Sequence, residues 1–246
     1  MAVALQPPPL PLPAPPALLL DFDGTLVELA ETPDAIEVAG QLPDLLRRLA
    51  ERLEGRLAIV SGRSLGDLDR HLERVACFAV GSHGLEVRLA DGTAVPAPAS
   101  SLPSLLRSEA ASFAQVRPGL LVEEKPGGLA LHYRRAEQHG SATEAWAETA
   151  ATRHGLRVQR GKMVVELLPR GVDKGEAVHR LMREPAFAGA RPLFVGDDLT
   201  DEDGFEAAAR HGGAGVLVGT PRTTAARWRL PDVASVHAWL EAAADG

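Results

Sequence analysis

Residues Leu18-Leu19-Leu20-Asp21-Phe22-Asp23-Gly24-Thr25-Leu26 constrain this chain more than any other stretch, because an apolar run ends there on two carboxylates spaced i, i+2. No polar side chain interrupts Ala17 to Leu20, the pattern of a parallel strand covered on both faces. Alternation turns Asp21 and Asp23 the same way and Phe22 into the core. Gly24 lets the backbone leave the sheet sharply, and open α/β sheets bind ligands at the carboxyl ends of their strands. Two like charges held this close are costly unless a cation sits between them or one keeps a proton. Hard oxygen ligands favour Mg²⁺. An Asx-rich turn with solvated carboxylates is the alternative, and the strand directly before the pair argues against it.

At 246 residues the chain allows one large domain or a core carrying a smaller insertion. A hydrophobic content of 45% with 24% charged residues is that of a globular protein with a sizeable core. Twenty-six basic against 33 acidic residues, a formal net charge of −7, argue against nucleic-acid or anionic-membrane partners. No apolar run approaches the roughly 20 residues that a membrane helix needs. The single cysteine, Cys77, precedes Phe78, Ala79 and Val80; it reads as a buried thiol and fits a reducing cytoplasm. Residues 1–16 hold seven of the 19 prolines and lack the basic start and apolar core of a signal peptide. They are expected to form a disordered or polyproline leader.

From residue 17 a βα rhythm sets in, which implies a parallel sheet with right-handed crossovers. A loop with Pro33 and Gly40 leads to leucines at 42, 45, 46, 49 and 53, which predict a helix that Gly55 ends. Leu57 to Val60 is a second strand delivering Ser61-Gly62-Arg63, and Ser64 caps the helix after it, with Asp67 at its positive end. A third strand, Phe78 to Val80, leads to Gly81-Ser82-His83-Gly84-Leu85-Glu86 and a hairpin around Asp91-Gly92. Pro96, Pro98 and Pro103 mark a boundary.

Between 104 and 169 the texture changes to helices near 104–115 and 142–154 and strands near 120–125, 128–135, 156–160 and 163–168, an α+β module on an antiparallel sheet. The βα rhythm returns at 170, where Asp173 and Glu176 have capping-box spacing. Pro192 to Val195 is a strand that ends in five carboxylates within seven residues, Asp197 to Asp203. Thr200 is expected to cap the next helix and Asp201, Glu202 and Asp203 to complement its dipole, which leaves Asp197 and Asp198 for another purpose. Val216 to Val218 is a last strand, and short helices near 221–228 and 233–243 close the chain, with Trp146 and Trp228 as helical core residues. The divisions are thus 1–16 leader, 17–103 with 170–246 core, and 104–169 inserted cap.

Asp21-Phe22-Asp23-Gly24-Thr25 resembles the first motif of the haloacid dehalogenase (HAD) superfamily of phosphotransferases. The resemblance implies a Rossmann-like α/β core, a parallel sheet between helices, with an inserted C2-type cap. It also implies that Asp21 is the nucleophile, Asp23 the general acid and base, Ser61 a hydrogen-bond partner of the phosphoryl group, and Lys174 an offset to its charge. Mg²⁺ would be held by Asp21, the backbone carbonyl of Asp23 and Asp197, with Asp198 or Asp201 as a further ligand or its support. The chemistry agrees: phosphoryl transfer needs an in-line nucleophile, charge neutralisation and a proton donor for the leaving group. An aspartate cannot approach a phosphate dianion closely without a dication.

Further strings, Gly81-Ser82-His83-Gly84-Leu85-Glu86, Glu123-Glu124-Lys125, Leu131-His132-Tyr133-Arg134, Val164 to Gly175 and Gly196 to Glu202, are similar to the pattern of trehalose-6-phosphate phosphatases over about residues 17–240. Strand parity puts Glu123 and Lys125 on one face, His132 and Arg134 on one face of the next strand, and Glu166 opposite Val165 and Leu167. A polar sheet face of this kind suits a hydroxyl-rich sugar. The resemblance implies that Glu123, Lys125 and Glu166 contact the glucose unit remote from the phosphate; His132 and Arg134 are weaker candidates. Gly62, Arg63 and His83 are candidates near the core strand ends, touching either phosphate or cap. The implied activity is Mg²⁺-dependent hydrolysis of trehalose 6-phosphate through an aspartyl-phosphate, the last step of trehalose biosynthesis. A cytoplasmic chain, monomeric by default, is expected; no synthase domain fits into 246 residues, so any coupling to trehalose-phosphate synthesis would involve a separate chain. Rival readings are a phosphatase of sucrose phosphate or a mannosyl-glycerate phosphate, a silent sugar-phosphate binder that regulates a synthase, and, less favoured, a phosphomutase.

Overall fold

The computed structural model describes residues 5–30, 36–95, 102–125, 127–161 and 163–246, without the side chains of His83 and Lys125. Pro33, Pro96 and Pro98, expected in a loop and at a boundary, lie outside the described residues. The chain forms two compact units, Met1–Pro96 with Asp173–Gly246, and Ala97–Val172.

The larger unit opens with β1 (Pro16–Leu20), α1 (Leu42–Arg52), β2 (Leu57–Val60), α2 (Leu65–Leu72), β3 (Phe78–Gly81), β4 (Glu86–Arg88) and β5 (Ala94–Val95). The smaller unit follows as α3 (Ser104–Gln115), β6 (Leu121–Lys125), β7 (Gly128–His132), α4 (Gly140–His154), β8 (Leu156–Gly161) and β9 (Val164–Pro169). The larger unit resumes with α5 (Lys174–Leu181), β10 (Arg191–Gly196), α6 (Asp201–Arg210), β11 (Ala214–Val218), β12 (Trp228–Leu230) and α7 (Val233–Asp245).

Among the described residues the larger unit carries one eight-stranded sheet in the order β12-β11-β10-β1-β2-β3-β4-β5. It is parallel from β12 to β3, and the β4–β5 hairpin adds antiparallel to its edge. Strand parity builds the layers. Leu18 and Leu20 join Leu57, Ile59, Leu193 and Val195 under the leucines of α1 and α2 and Val236 and Leu240 of α7. Ala17 and Leu19 face the other way, with Ala58, Val60 and Phe194, against Val178 and Leu181 of α5 and Phe205 of α6. Helices therefore cover both faces, as continuous apolar strands require. Each fully buried Leu or Phe stabilises this arrangement by about 1.5–3 kcal/mol.

Two expectations for the ends of the chain are corrected. Residues 5–15, the described part of the leader expected to be disordered or polyproline, are docked rather than disordered: the Gln6 carbonyl accepts from the Arg229 N–H at 3.0 Å and the Pro15 carbonyl from the Arg191 N–H at 2.7 Å. Pro8 is buried and Leu12 packs on the core. Proline suits such a segment because its carbonyls do the bonding and its fixed φ lowers the entropy lost on docking. At the other end, the helix expected near 221–228 does not form: residues 221–227 are bends and irregular backbone, and 228–230 form β12, parallel to β11 with Trp228 opposite Val216. Trp228 is therefore a strand residue.

The smaller unit has a four-stranded antiparallel sheet in the order β6-β7-β9-β8. Leu129, Leu131, Val165 and Leu167 pack against Leu106 and Ala110 of α3 and Ala147, Ala150 and Ala151 of α4. On the opposite parity, Glu123, Ala130, Glu166 and Gln159 form one cross-strand row. β7 stops at His132, so Arg134 lies in an exposed turn and does not share a strand face with His132. The cause is local: the Tyr133 N–H donates to the Met163 carbonyl and the Ala136 N–H to the Tyr133 carbonyl, which turns the chain out of the ladder.

Candidate active site

β1 and β10 run side by side with Leu20 in register with Val195, so both release their next residues at the same sheet edge. The Asp21 N–H donates to the Val195 carbonyl at 2.9 Å. Gly24 then turns the chain at φ 75°, and the N–H groups of Leu26 and Val27 return to the Phe22 carbonyl at 2.8 and 3.1 Å. Across the edge, Asp21, Asp197 and Asp201 each offer a carboxylate oxygen, all within 4.8 Å of one another. From the start of α5, Lys174 places Nζ 2.8 Å from Asp21 Oδ1 and 2.6 Å from Asp201 Oδ1. Asp21, Lys174 and Asp201 are 4%, 5% and 0% exposed.

Burial lifts the Asp21 carboxyl well above the usual carboxylate range; Lys174 opposes that shift, while Asp201 and Asp197 add to it. Burial also pushes Asp197 up to about 6, with Asp201 reinforcing the effect. For Lys174 burial works against the charge, but Asp201 and Asp21 outweigh it and hold the ammonium above its ordinary range. Three carboxylates thus face one ammonium, and the excess negative charge suits a cation.

The residues fit a hard dication. A Cβ on Gly24 would lie 2.2 Å from Asp197 Oδ2, and one on Gly196 would lie 2.2 Å from the Asp201 carboxyl carbon. Both glycines leave the hollows in which these carboxylates sit. The donor set is all oxygen, as Mg²⁺ prefers.

Asp198, expected beside Asp197, is not in the group. It is exposed, its carboxylate accepts from the Leu199 N–H at 2.6 Å, and its own N–H donates to Asp201 Oδ2 at 2.9 Å. Asp201, assigned mainly to the dipole of α6, is instead buried, because the first turn of the helix folds its side chain back over the loop. Thr200 makes no side-chain cap bond. The carboxylate of Asp23 also lies outside the group, and the expectation for its ligation concerned its carbonyl.

Asp23 is half-buried and bound bidentately by Arg63, Nε to Oδ2 at 2.8 Å and Nη2 to Oδ1 at 2.7 Å. Arg63 also donates to Asp67 at 2.5 Å and lies 5.6 Å from the centre of the Phe22 ring. Asp67, read from the sequence as a helix-end charge, is thus part of this network. Ser61 is buried, and its Oγ accepts from the Arg63 N–H at 3.1 Å. Gly62 forms the bend between β2 and α2, and His83 lies in the short turn Ser82–Gly84.

In the smaller unit His132 Nε2 lies 2.7 Å from Glu123 Oε2, and Glu166 is 7% exposed. Lys125 pairs with Gly128 across the β6–β7 ladder.

Residues 19–234 match the family described as trehalose-phosphatase. The trehalose-6-phosphate phosphatase of Escherichia coli (strain K12) is 39% identical over 238 residues, covering 92% of this chain and 85% of that one. A probable trehalose-phosphate phosphatase of Sinorhizobium fredii is 40% identical over 207 residues, 83% of this chain and 78% of that one. Among solved structures, the C-terminal domain of the Candida albicans trehalose-6-phosphate phosphatase superposes with a TM-score of 0.80 at 26% identity, covering 93% and 91% of the two chains. A haloacid dehalogenase-like hydrolase from Bacteroides thetaiotaomicron, 17% identical with a TM-score of 0.69 over 92% and 98%, shares the fold.

Proposed function

The chain belongs to the trehalose-phosphatase family of the haloacid dehalogenase superfamily and is a phosphoric monoester hydrolase, and on that premise we propose that it hydrolyses trehalose 6-phosphate to trehalose and phosphate through a phosphoryl-Asp21 intermediate, with Mg²⁺ as cofactor. The observation that carries the chemistry is the grouping of buried Asp21, Lys174 and Asp201 with half-buried Asp197 at one sheet edge.

Each step falls to a named residue. An Asp21 carboxylate oxygen forms the bond to phosphorus as the bond from phosphorus to the sugar oxygen breaks, and Asp23 gives that oxygen its proton. In the second step Asp23 takes a proton from water, whose oxygen displaces Asp21 and releases phosphate. The pair with Arg63 suits the second role, since a guanidinium has only donors and leaves both Asp23 oxygens as acceptors. The Ser61 Oγ accepts from the Arg63 N–H, and its own proton is assigned to a phosphoryl oxygen. Lys174 stays charged and offsets the negative charge that builds on the transferring group. Mg²⁺, when bound by Asp21, Asp197 and Asp201, supplies the charge neutralisation that lets a carboxylate approach a phosphate dianion. Glu123, Lys125 and Glu166 are assigned to the sugar unit remote from the phosphate, where acidic and basic groups bond vicinal hydroxyls.

The test is phosphate release with Mg²⁺ from trehalose 6-phosphate, sucrose 6-phosphate, glucose 6-phosphate and mannosyl-3-phosphoglycerate, with Asp21→Asn as control. A strong preference for trehalose 6-phosphate that the substitution abolishes is the expected result. Preference for another sugar overturns the substrate while leaving the chemistry. Binding of sugar phosphates without turnover of any overturns both and points to a silent binder.

A further inference from the structure

We propose that Arg222 is a positioning residue for the metal-binding loop, holding the Asp197–Asp198 backbone so that the Asp197 carboxylate keeps its aim. The inference rests on the Mg²⁺ reading above and adds a residue from a different part of the chain. Arg222 stands in the connection between β11 and β12. Both stems of that connection are tied to the sheet: the Gly219 N–H donates to the Leu230 carbonyl at 3.0 Å, the Arg227 N–H to the Gly215 carbonyl at 2.9 Å, and Arg229 Nε to the Gly219 carbonyl at 2.6 Å.

From this base the guanidinium reaches the loop after β10. Nη2 donates to the Asp198 carbonyl at 2.8 Å and lies 3.5 Å from the Asp197 carbonyl, while Nη1 pairs with Glu202 on the first turn of α6. The second oxygen of Glu202 accepts from the Thr224 hydroxyl at 3.1 Å and the Ala225 N–H at 2.7 Å. The side chains of Arg222 and Glu202 are each 23% exposed. The Asp198 carbonyl also accepts from the Asp201 N–H at 3.2 Å, so one fork grips the turn that carries both Asp197 and Asp201. Glu202 balances the Arg222 charge. What the arginine adds is a fixed orientation of the peptide beside a candidate ligand, the kind of outer support that tunes metal sites.

The sign of the effect separates positioning from charge. A cation near a dication repels it, so charge alone predicts that Arg222→Gln binds Mg²⁺ more tightly and that Arg222→Lys is neutral. Positioning predicts weaker binding in both. The measurement is Mg²⁺ affinity of the full chain, read from the Mg²⁺-dependent rise in melting temperature. R222Q is expected to bind Mg²⁺ about 10- to 100-fold more weakly, with turnover restored at saturating Mg²⁺ and a metal-free melting temperature close to wild type. R222K, which keeps the charge but loses the planar fork, is expected to shift in the same direction. Unchanged or tighter binding in R222Q overturns the proposal; if R222Q does not fold, unchanged affinity in R222K does so. A wild-type chain with no Mg²⁺-dependent shift overturns the metal reading and this inference together, whereas a wild-type shift that the variants retain overturns this inference alone.

Discussion

The Lys174 ammonium lies 2.8 Å from the Asp21 carboxylate, with both side chains 5% exposed. The lysine is shared, since Asp201 holds it at 2.6 Å from the other side. Removing it leaves two buried carboxylates beside Asp197 with no compensating charge. Lys174→Met is therefore expected to lower the unfolding free energy by about 3–5 kcal/mol, measured by urea denaturation of the metal-free chain, and to abolish phosphate release.

The group at Asp197 makes stability depend on pH in a direction opposite to that of a paired carboxylate. Burial raises its folded value to about 6, above the ordinary 3.8 of an exposed aspartate, so the folded state holds the extra proton between those values. Its stabilising contribution is full below the lower value and is lost as pH rises through the upper one. The melting temperature of metal-free wild type relative to Asp197→Asn is expected to fall between about pH 4 and pH 6 and to level off above. On the proposed Mg²⁺ reading, protons and Mg²⁺ compete for the same oxygens, so the Mg²⁺-dependent rise in melting temperature should shrink below pH 6.

Gly24 combines a positive φ with a carboxylate where its Cβ would be. Gly55 has a φ of 82° and nothing within 4 Å of its Cβ position. Alanine at either position pays the left-handed backbone penalty of about 1–2 kcal/mol. Displacement of Asp197 is expected in Gly24→Ala alone. Thermal melts with and without Mg²⁺ should show both variants destabilised and only Gly24→Ala impaired in Mg²⁺ binding.

Glu123 and Glu166 flank Ala130 in one cross-strand row. A hydrogen bond from a charged group to a sugar hydroxyl contributes about 1.5–3 kcal/mol, so Glu166→Gln should lower kcat/KM for trehalose 6-phosphate roughly 10- to 100-fold. Hydrolysis of a small aryl phosphate should change little. An equal loss on both substrates would sink the specificity role.

The layers of the core were legible because Ala17 to Leu20, Leu57 to Val60 and Pro192 to Val195 are apolar on both parities, a pattern with few competing folds. Ser64 and Asp173 were legible as caps because their bonds reach three residues ahead, to the N–H groups of Asp67 and Glu176. What sequence patterns missed depends on contacts between distant segments. Trp228 to Leu230 form a strand because β11 offers an edge, which no periodicity in Arg-Trp-Arg-Leu announces. Asp201 and Asp198 are equivalent as letters, and only the turn that opens α6 buries one and exposes the other. Arg222 sits in a short loop whose composition gives no sign that it reaches the carbonyls of Asp197 and Asp198.

The place of β1 between β2 and β10 also bears on how the chain is made. As the polypeptide leaves the ribosome, β2 and β3 follow β1 closely, but the whole smaller unit and α5 are synthesised before β10 can pair. Until then one side of Ala17 to Leu20 is a bare apolar edge, open to mispairing, and such distant pairing slows folding. Lys174, the partner of the Asp21 carboxylate, and Asp201, which shares that lysine, arrive late as well. The edge that carries Asp21 is thus also the seam at which the nascent fold closes, and a chain stalled ahead of β10 would hold that seam open and lack Asp197 and Asp201.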